Sequence, residues 1–410
     1  MPDRRPTRGG PTNTPAVVLG LDSITGLQTA RLLAARAVPV VGVASDGGHW
    51  GARTRACVDV VESPLEGDGL MGALTALAAR LDSGAVVFPC TDASVATVSR
   101  RRAELPARFV LPLAAHDVVE RLMDKIRFAQ YAAGAGLPVP RTEVLRSRQD
   151  AQVAARLLAF PCLVKPSVKT GSWLARTRAK GFVAQDAADL LAIYTRVADW
   201  SPALVAQEWV DGPEDALVSC NAYFGQHGRP LATFVARKVR QWPPDVGTSA
   251  SGEECRNDEV LDTTIRLFGG ARYQGLAYLE MKRDVRTGRM VIIEPNVGRP
   301  TGRSAIAEAG GVELVHTAYC DALGLPLPRQ REQRYGGAKW VDLRRDAQAV
   351  MVARRQGTGS VRQWLGWMRG PKAHAIWSRD DPAPFFADVV GATLTGARML
   401  TERRRPSREE

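Results

Sequence analysis

Two acidic side chains on a predicted β-hairpin are the clearest candidates for chemistry in this sequence. The runs 275–284 and 289–296 are β-like and flank a turn centred on Thr287. Residues equidistant from that turn face each other, so Glu280 lies opposite Glu294 with the two Cβ atoms ~5 Å apart. Two facing carboxylates repel each other unless a cation or a proton lies between them. The hairpin therefore predicts a pair of acids that binds a cation.

The same register also pairs apolar side chains on the other face of the hairpin. It places Met281 opposite Ile293 and Leu279 opposite Pro295. Because side chains alternate along a strand, acids on one face and apolar residues on the other form a consistent pattern. The register is therefore a structural prediction that coordinates test directly.

An amide oxygen joins the two acids on their face of the hairpin. Strand alternation puts Asn296 on the same side as Glu294. Oxygen-only ligands of this kind suit Mg²⁺, which is usually held by one or two carboxylates together with substrate phosphates. The alternative is an exposed strand face whose solvated acids are stabilised by Lys282 or Arg303.

The elements that precede the hairpin begin with a predicted doubly wound α/β domain, a parallel sheet of Rossmann-like type at residues 15–115. Its strand-like runs lie at 16–20, 38–44, 85–90 and 109–112, with a helix at about 25–36. A strand, a helix and a strand within ~30 residues make a βαβ unit of a parallel sheet. We expect residues 1–14 to be a disordered lead-in.

A glycine turn after the first strand raises the question of dinucleotide binding. The segment from Gly20 to Gly26 spells Gly-Leu-Asp-Ser-Ile-Thr-Gly, which is not GxGxxG, so NAD(P) binding is disfavoured. A small-molecule site at the carboxyl ends of the strands is still expected on general grounds. Thr91 and Asp92 would line it, and Asp92 is our candidate substrate contact.

The sequence pattern predicts two α+β lobes for the middle of the chain, residues 116–328. It predicts an α-rich extension for residues 329–400. The middle contains helices at about 119–133, 257–270 and 304–322, strands at 160–165, 204–210, 216–224 and 231–240, and polar loops at 167–173 and 241–254. In the extension a short strand at 339–343 precedes Arg-rich helices and three tryptophans. We expect the extension to dock on the main body without a catalytic signal of its own, and residues 401–410 to form a disordered tail.

Composition limits the class of protein. The 410 residues are 45% hydrophobic, without an apolar run long enough for a membrane span or a signal peptide, so we expect a cytoplasmic protein. The net charge of +12 is interpreted as a solvated, Arg-rich surface, because no basic block with interleaved aromatics suggests nucleic-acid binding. The six cysteines are scattered, which excludes a zinc knuckle or a redox CxxC motif. A monomer or a homodimer is expected.

Further motifs accompany the hairpin in a fixed order. They are Met123-Asp124-Lys125, Val164-Lys165-Pro166, Gln207-Glu208-Trp209-Val210 and the acid Glu214. This ordered set, over about residues 115–325, resembles the ATP-grasp superfamily. The segment from Arg237 to Thr248 further resembles the carboxylate–amine ligases that are similar to D-aspartate ligase.

The resemblance implies a nucleotide site. Lys125 and Lys165 would contact the α- and β-phosphates of ATP, and the loop 167–173, with Gly171 and Ser172, would close over the phosphates. The segment Glu208-Trp209-Val210 would present main-chain atoms to the adenine, and Glu214 would bind the ribose hydroxyls.

The resemblance also implies the reactive part of the site. Glu280, Glu294 and Asn296 would hold one or two Mg²⁺, with Mn²⁺ as an alternative, and Arg237 and Lys238 would lie near the γ-phosphate. The family often has an arginine two residues after the metal-binding Asn. Here Arg299 comes one residue late, so Arg303 is a rival for binding the acyl group.

The implied activity is an ATP-dependent carboxylate–amine ligase that forms an amide bond through an acyl phosphate. Its substrates would be small molecules, such as cell-envelope or natural-product precursors. Three alternatives stay open. One is a catalytically silent ATP-binding scaffold or regulator, the second forms another bond by carboxylation or phosphoryl transfer, and the third is a basic nucleic-acid-binding protein.

Overall fold

A computed structural model describes residues 14–168, 170–177, 179–243 and 248–403 of the chain. The side chains of Glu214 and of residues 394–403 lie outside what it describes. Residues 1–13 of the predicted lead-in and 404–410 of the predicted tail therefore lie outside the described residues, whereas residues 401–403 belong to the last helix and not to a disordered tail. Among the described residues, no helix combines the length and the apolar character that crossing a bilayer requires.

The N-terminal part is a parallel sheet, as predicted, with five strands in the order β3-β2-β1-β4-β5, one more than the four predicted runs. Its strands are β1 Ala16–Leu19, β2 Val40–Ala44, β3 Asp59–Glu62, β4 Ala85–Pro89 and β5 Phe109–Val110. Its helices are α1 Ile24–Ala34, α2 Gly67–Arg80 and α3 Asp92–Arg100. Alternate residues of β1 pack into different cores, Val17 on the α2 side and Val18 on the α1 side. Apolar residues on both faces of each strand explain why the sheet is doubly wound.

A four-stranded antiparallel sheet follows, in the order β6-β9-β7-β8. Its strands are β6 Thr142–Leu145, β7 Cys162–Pro166, β8 Phe182–Ala184 and β9 Leu204–Glu208. The helices beside it are α6 Arg148–Leu157, α7 Gly171–Arg176 and α8 Ala187–Val197. One face of the sheet packs on α6 and α8 in a core of its own.

The largest sheet has seven strands in the order β14-β13-β10-β11-β12-β15-β16. They are β10 Leu217–Phe224, β11 Pro230–Trp242, β12 Thr248–Glu254, β13 Gly275–Arg283, β14 Met290–Val297, β15 Lys339–Val341 and β16 Lys372–His374. The remaining helices are α4 His116–Met123, α5 Lys125–Gly134, α9 Asp258–Gly270, α10 Ala305–Ala309, α11 Leu314–Ala322, α12 Leu343–Arg355, α13 Val361–Trp367 and α14 Ala383–Arg403. Short 3₁₀ turns lie at Trp50–Arg53, Arg102–Glu104, Ala198–Trp200, Glu214–Ala216 and Gln226–Gly228. The C-terminal extension thus contributes two strands to the main sheet.

Three predicted elements differ from the structure. The predicted loop 241–254 contains β12, whose polar sequence hides a strand that lies between β11 and β15. The predicted helix 119–133 is two helices, because Asp124 leaves the helical conformation and caps α5 through hydrogen bonds from the N–H groups of Ile126 and Arg127. The predicted helix 304–322 is also two helices, with Gly310 ending the first.

Gly298 packs β14 tightly against the N-terminal part of the chain. Its φ is +76°, and a Cβ added there would lie 2.7 Å from Val95 and 2.8 Å from Leu113. We expect Gly298→Ala to lower the free energy of unfolding by about 2–4 kcal/mol, from overpacking and a strained φ. Gly288, at φ +69° with open space around it, is the matched control. Gly288→Ala should cost only about 1 kcal/mol in denaturant unfolding, and equal losses for the two variants would contradict the packing argument.

Candidate active site

The two acids of the hairpin face each other as the sequence predicts. β13 pairs with β14 so that Glu280 lies opposite Glu294 and Tyr278 lies opposite Asn296. Directly paired residues of antiparallel strands point to the same side, so all four side chains share one face. Glu294 is exposed and Glu280 is half-buried.

The predicted register is confirmed only on one side of this pair. Leu279 faces Pro295 as expected, but Met281 pairs with Ile292 and not with the predicted Ile293. The register shifts between Glu280 and Met281 because β14 carries one extra residue there. Such a bulge bends a strand and re-aims side chains locally, and here it comes immediately beside the two acids.

Cationic and hydroxyl groups surround the inner acid of the pair. Nη2 of Arg303 lies 3.3 Å from the Glu280 carboxylate, and the Tyr278 hydroxyl donates to the same oxygen at 2.9 Å. Arg303 also donates to the Tyr278 hydroxyl. Burial would raise the pKa of Glu280, but Lys238, Arg303 and the Tyr278 hydrogen bond outweigh it and hold the pKa below its ordinary value. The carboxylate is therefore kept ionised.

Two lysines from different elements lie near each other, and one of them feels the charge of the outer acid. Lys125 begins α5, and its Nζ donates to the Ser167 carbonyl at 3.1 Å. Lys165, on β7, donates to Oε1 of Gln207 at 2.8 Å. Burial and the charge of Lys125 lower the pKa of Lys165 to about 8, and the charge of Glu294 opposes them in part. The structure therefore brings Lys165 within electrostatic reach of Glu294, with Lys125 close to Lys165.

The predicted phosphate loop is in part helical. Lys169 lies outside the described residues, but Gly171 and Ser172 form the first turn of α7, capped by Thr170. Trp173 is fully buried against Phe182 and Trp200, and its Nε1 donates to the Ala179 carbonyl at 3.0 Å. Trp173 thus anchors this loop to the core of the small sheet.

The segment predicted to meet adenine joins the small sheet to the large one. The Trp209 N–H donates to the Pro161 carbonyl, and the Glu208 carboxylate accepts from the N–H of Ala159 at 2.9 Å. Nζ of Lys282 donates to the Val210 carbonyl at 3.1 Å and lies 5.9 Å from the Trp209 ring. The side chain of Glu214 lies outside the described residues, so its ribose contact stays a prediction.

The two basic neighbours on β11 point in opposite directions. Lys238 is buried on the Glu280 side of the sheet and pairs across the ladder with Gly252. Arg237 lies on the other face, where its guanidinium donates to Glu253 at 2.8 Å. Strand alternation requires this separation, so the structure does not bring Arg237 together with the predicted site.

Both candidate arginines after β14 contact residues that are predicted to bind the metal. Nε of Arg299 donates to Asp92 at 2.6 Å, and its Nη2 donates to the side-chain oxygen of Asn296 at 2.8 Å. Arg303 is buried and reaches Glu280. Asp92 lies at the start of α3, so the carboxyl end of the parallel sheet meets the hairpin here.

Sequence reasoning missed several polar neighbours of the acids. Ser219 and Asn221 lie on β10, paired with Glu280 and Tyr278 respectively. Two polar residues two apart in an otherwise apolar strand were the available signal. Two buried donors, Nδ2 of Asn221 and Nη1 of Arg303, have no hydrogen-bond partner among the described residues. An unpaired buried donor costs about 1–3 kcal/mol, which makes both candidates for donating to a substrate oxygen.

The oxygen ligands of the hairpin fit a magnesium ion that also binds phosphate. Among the described residues, no three His, Cys, Asp or Glu side chains cluster as a metal site would require on its own. Mg²⁺ does not need such a cluster, because it keeps waters and substrate phosphate oxygens in its shell. Glu280, Glu294 and Asn296, with lysines nearby for the phosphates, form a donor set of that kind.

Comparison with known proteins shows consistent likenesses. No family model matches the chain. D-aspartate ligase of Enterococcus faecium is 23% identical over 229 residues, 54% of each chain. D-alanine–D-alanine ligase of Stutzerimonas stutzeri is 36% identical over 92 residues, 22% of this chain and 27% of that one. N5-carboxyaminoimidazole synthetase of Staphylococcus aureus superposes with a TM-score of 0.61 at 15% identity, covering 78% of this chain and 79% of the other.

The chain has the ATP-grasp fold. A biotin carboxylase domain from Hydrogenobacter thermophilus, in complex with MgADP, ADP and bicarbonate, also superposes with a TM-score of 0.61 at 14% identity. It covers 79% of this chain and 73% of that domain. At such identities the structural likeness shows the ATP-grasp fold alone. The chain also spans about half the length, or less, of the curated relatives described above.

Proposed function

We propose that this ATP-grasp protein is an ATP- and Mg²⁺-dependent ligase that joins a carboxylate to an amine. The observation that carries the proposal is the face on which Glu280, Glu294 and Asn296 lie together, with Lys165 in electrostatic reach of Glu294 and Lys125 close to Lys165. The relatives named D-aspartate ligase and D-alanine–D-alanine ligase support amide formation as the bond type.

The nucleotide would lie between the two antiparallel sheets. Lys125 and Lys165 would neutralise phosphate oxygens, and the segment Glu208-Trp209-Val210 between the sheets would contact the adenine. Glu280, Glu294 and Asn296 would hold Mg²⁺, which when bound offsets negative charge on the phosphates as the γ-phosphoryl group is transferred. Lys238, buried beside Glu280, would place its positive charge at the γ-phosphate.

The chemistry proceeds in two displacements. A carboxylate oxygen of the acid attacks the γ-phosphorus, the bond to the β-phosphate bridging oxygen breaks, and ADP leaves. The amine nitrogen then attacks the acyl carbon, the acyl carbon–oxygen bond breaks, and phosphate and the amine proton are released. Arg303 and Arg299 are the groups that would stabilise negative charge on the acyl oxygens, because both lie at the metal hairpin.

The N-terminal sheet would hold the rest of the substrates. Asp92 lies at its carboxyl end and forms an ion pair with Arg299. A carboxylate substrate that binds Arg299 would compete with Asp92 for the same guanidinium. Binding of the substrate carboxylate to Arg299 would therefore weaken the ion pair that joins the N-terminal part to the hairpin.

Isotope transfer tests the acyl phosphate directly. The protein would be mixed with ATP, Mg²⁺ and a panel of acids and amines, and ADP release would identify a reactive pair. With the carboxylate of that acid labelled with heavy oxygen, one labelled atom should appear in the released phosphate. Turnover that requires bicarbonate in place of an organic carboxylate would favour carboxylation. A stable phosphorylated product would favour phosphoryl transfer.

A further inference from the structure

A buried acid of the C-terminal extension is tied to the strand that carries Lys238. Asp346 lies on α12 and is fully buried. Its carboxylate accepts from Nε and Nη2 of Arg240 at 2.7 and 2.9 Å. It also accepts from the Ser251 hydroxyl at 2.6 Å and from Nε1 of Trp364 at 2.7 Å. Four donors converge on one side chain, so Asp346 fixes β11, β12 and α13 together.

The strand that receives this contact is irregular between Lys238 and Gln241. Lys238 pairs with Gly252, Arg240 with Ser251 and Gln241 with Ser249, so the register shifts twice within four residues. In a regular strand Lys238 and Gln241, three residues apart, would point to opposite faces. Here Nζ of Lys238 lies 3.4 Å from Oε1 of Gln241, so the bulge has put both on the Glu280 side.

Arg240 connects the β11 bulge to the buried carboxylate of Asp346. Arg240 points to the face opposite Lys238, where it meets Asp346 and lies 4.8 Å from the Trp367 ring. Trp367 in turn donates from Nε1 to Glu253 on β12 at 2.7 Å. The extension therefore holds both strands of the β11–β12 hairpin at the level of the irregularity.

We propose that Asp346 is a positioning residue, which through Arg240 and the β11 bulge sets the place of the Lys238 ammonium group in the active site. This inference rests on the proposed function, in which Lys238 meets the γ-phosphate. It assigns the C-terminal extension a part in catalysis that acts through β11.

The test compares Asp346→Asn with a matched ion pair elsewhere in the extension. Asp388 accepts from Arg344 at 2.8 and 3.1 Å and is similarly buried, but that pair joins α12 to α14. The readout is the ratio of the affinities for a non-hydrolysable ATP analogue and for ADP, both with Mg²⁺. A Lys238–γ-phosphate contact affects this ratio, whereas a general loss of stability affects both affinities alike.

We expect Lys238→Met to lower the ratio most, Asp346→Asn to lower it about tenfold, and Asp388→Asn to leave it unchanged. Arg240→Lys keeps the charge but loses the two-pronged contact, so it should lower the ratio less than Asp346→Asn does. This variant also tests the proposal if Asp346→Asn does not fold. An unchanged ratio in Asp346→Asn or Arg240→Lys while Lys238→Met responds would overturn the positioning role alone. A wild-type protein that binds neither nucleotide would overturn the proposed function and this inference with it.

Discussion

Replacing Glu294 by Gln should reduce ATP-dependent turnover about a hundred- to a thousandfold, the usual cost of losing one preorganised electrostatic group at a reacting centre. The substitution keeps the shape of the side chain and removes one of the two carboxylate charges on the metal face. Because Glu294 is exposed and accepts no hydrogen bond from another described side chain, the fold should not change. We expect the melting temperature to stay within a degree or two of the wild type.

Glu280→Gln should also remove turnover but behave differently in stability. Arg303 is buried and contacts the Glu280 carboxylate, so neutralising the acid leaves a buried guanidinium without its counter-charge. Breaking one member of a buried pair is strongly destabilising, by about 3–5 kcal/mol in the worst cases. A lower melting temperature for Glu280→Gln than for Glu294→Gln is therefore expected.

The measurement is steady-state ADP release at increasing Mg²⁺ concentration. A weakened metal site should need more Mg²⁺ for half-maximal rate, so part of the lost activity should return at high Mg²⁺. Glu143→Gln, an acid on β6 paired with Arg141, serves as the control and should match the wild type. Turnover of Glu294→Gln equal to that of the wild type would remove Glu294 from the metal site.

The position of these acids follows from the sequence because a hairpin is a local structure. A turn and strand alternation suffice to place Glu280 opposite Glu294 and Asn296 beside it. The same reasoning fails one residue later, at Met281, because the bulge on β14 inserts a residue without changing the pattern of polar and apolar types. Bulges are backbone features that a periodicity argument does not detect.

The assignment of Arg237 shows a different error. Arg237 and Lys238 are neighbours on a strand, so alternation alone would have placed only one of them at the γ-phosphate. The family resemblance suggested both. The structure separates them, with Lys238 near Glu280 and Arg237 bound to Glu253. The local rule was more reliable than the resemblance at this position.

Contacts between segments far apart in the chain explain why the sequence predicted neither β12 nor the Arg240–Asp346 ion pair. β12 is polar and was interpreted as a loop, yet β11 and β15 pair with its two edges. Arg240 and Asp346 are 106 residues apart, and nothing in either segment announces their contact. Such partners become visible only when the topology of the sheet is known.

ATP affinity should fall by up to tenfold per pH unit above about pH 8, because Lys165 must be charged to bind phosphate. Burial and the neighbouring charge of Lys125 lower the pKa of Lys165 to about 8. Below that pH the ammonium group is present before ATP arrives, so affinity should be flat. Above it, binding must take up a proton, which calorimetry in buffers of different ionisation enthalpy measures directly. Lys165→Met should weaken ATP binding about ten- to a hundredfold and abolish this pH dependence.

The free energy of unfolding should depend on pH in the opposite sense to ATP affinity, rising where the affinity falls. Its folded pKa of about 8 lies below the ordinary value of 10.5, so between those limits the unfolded chain holds a proton that the folded chain lacks. Stability from this group should therefore rise with pH through the window from about 8 to 10.5, and Lys165→Met should lose that rise while gaining stability at pH 7. Lys372→Met, on β16 at the edge of the seven-stranded sheet opposite β14, is the control and should change neither property. A Lys165→Met variant that is less stable at pH 7, with the pH dependence of ATP binding intact, would show that Lys165 is a structural lysine and not a phosphate ligand.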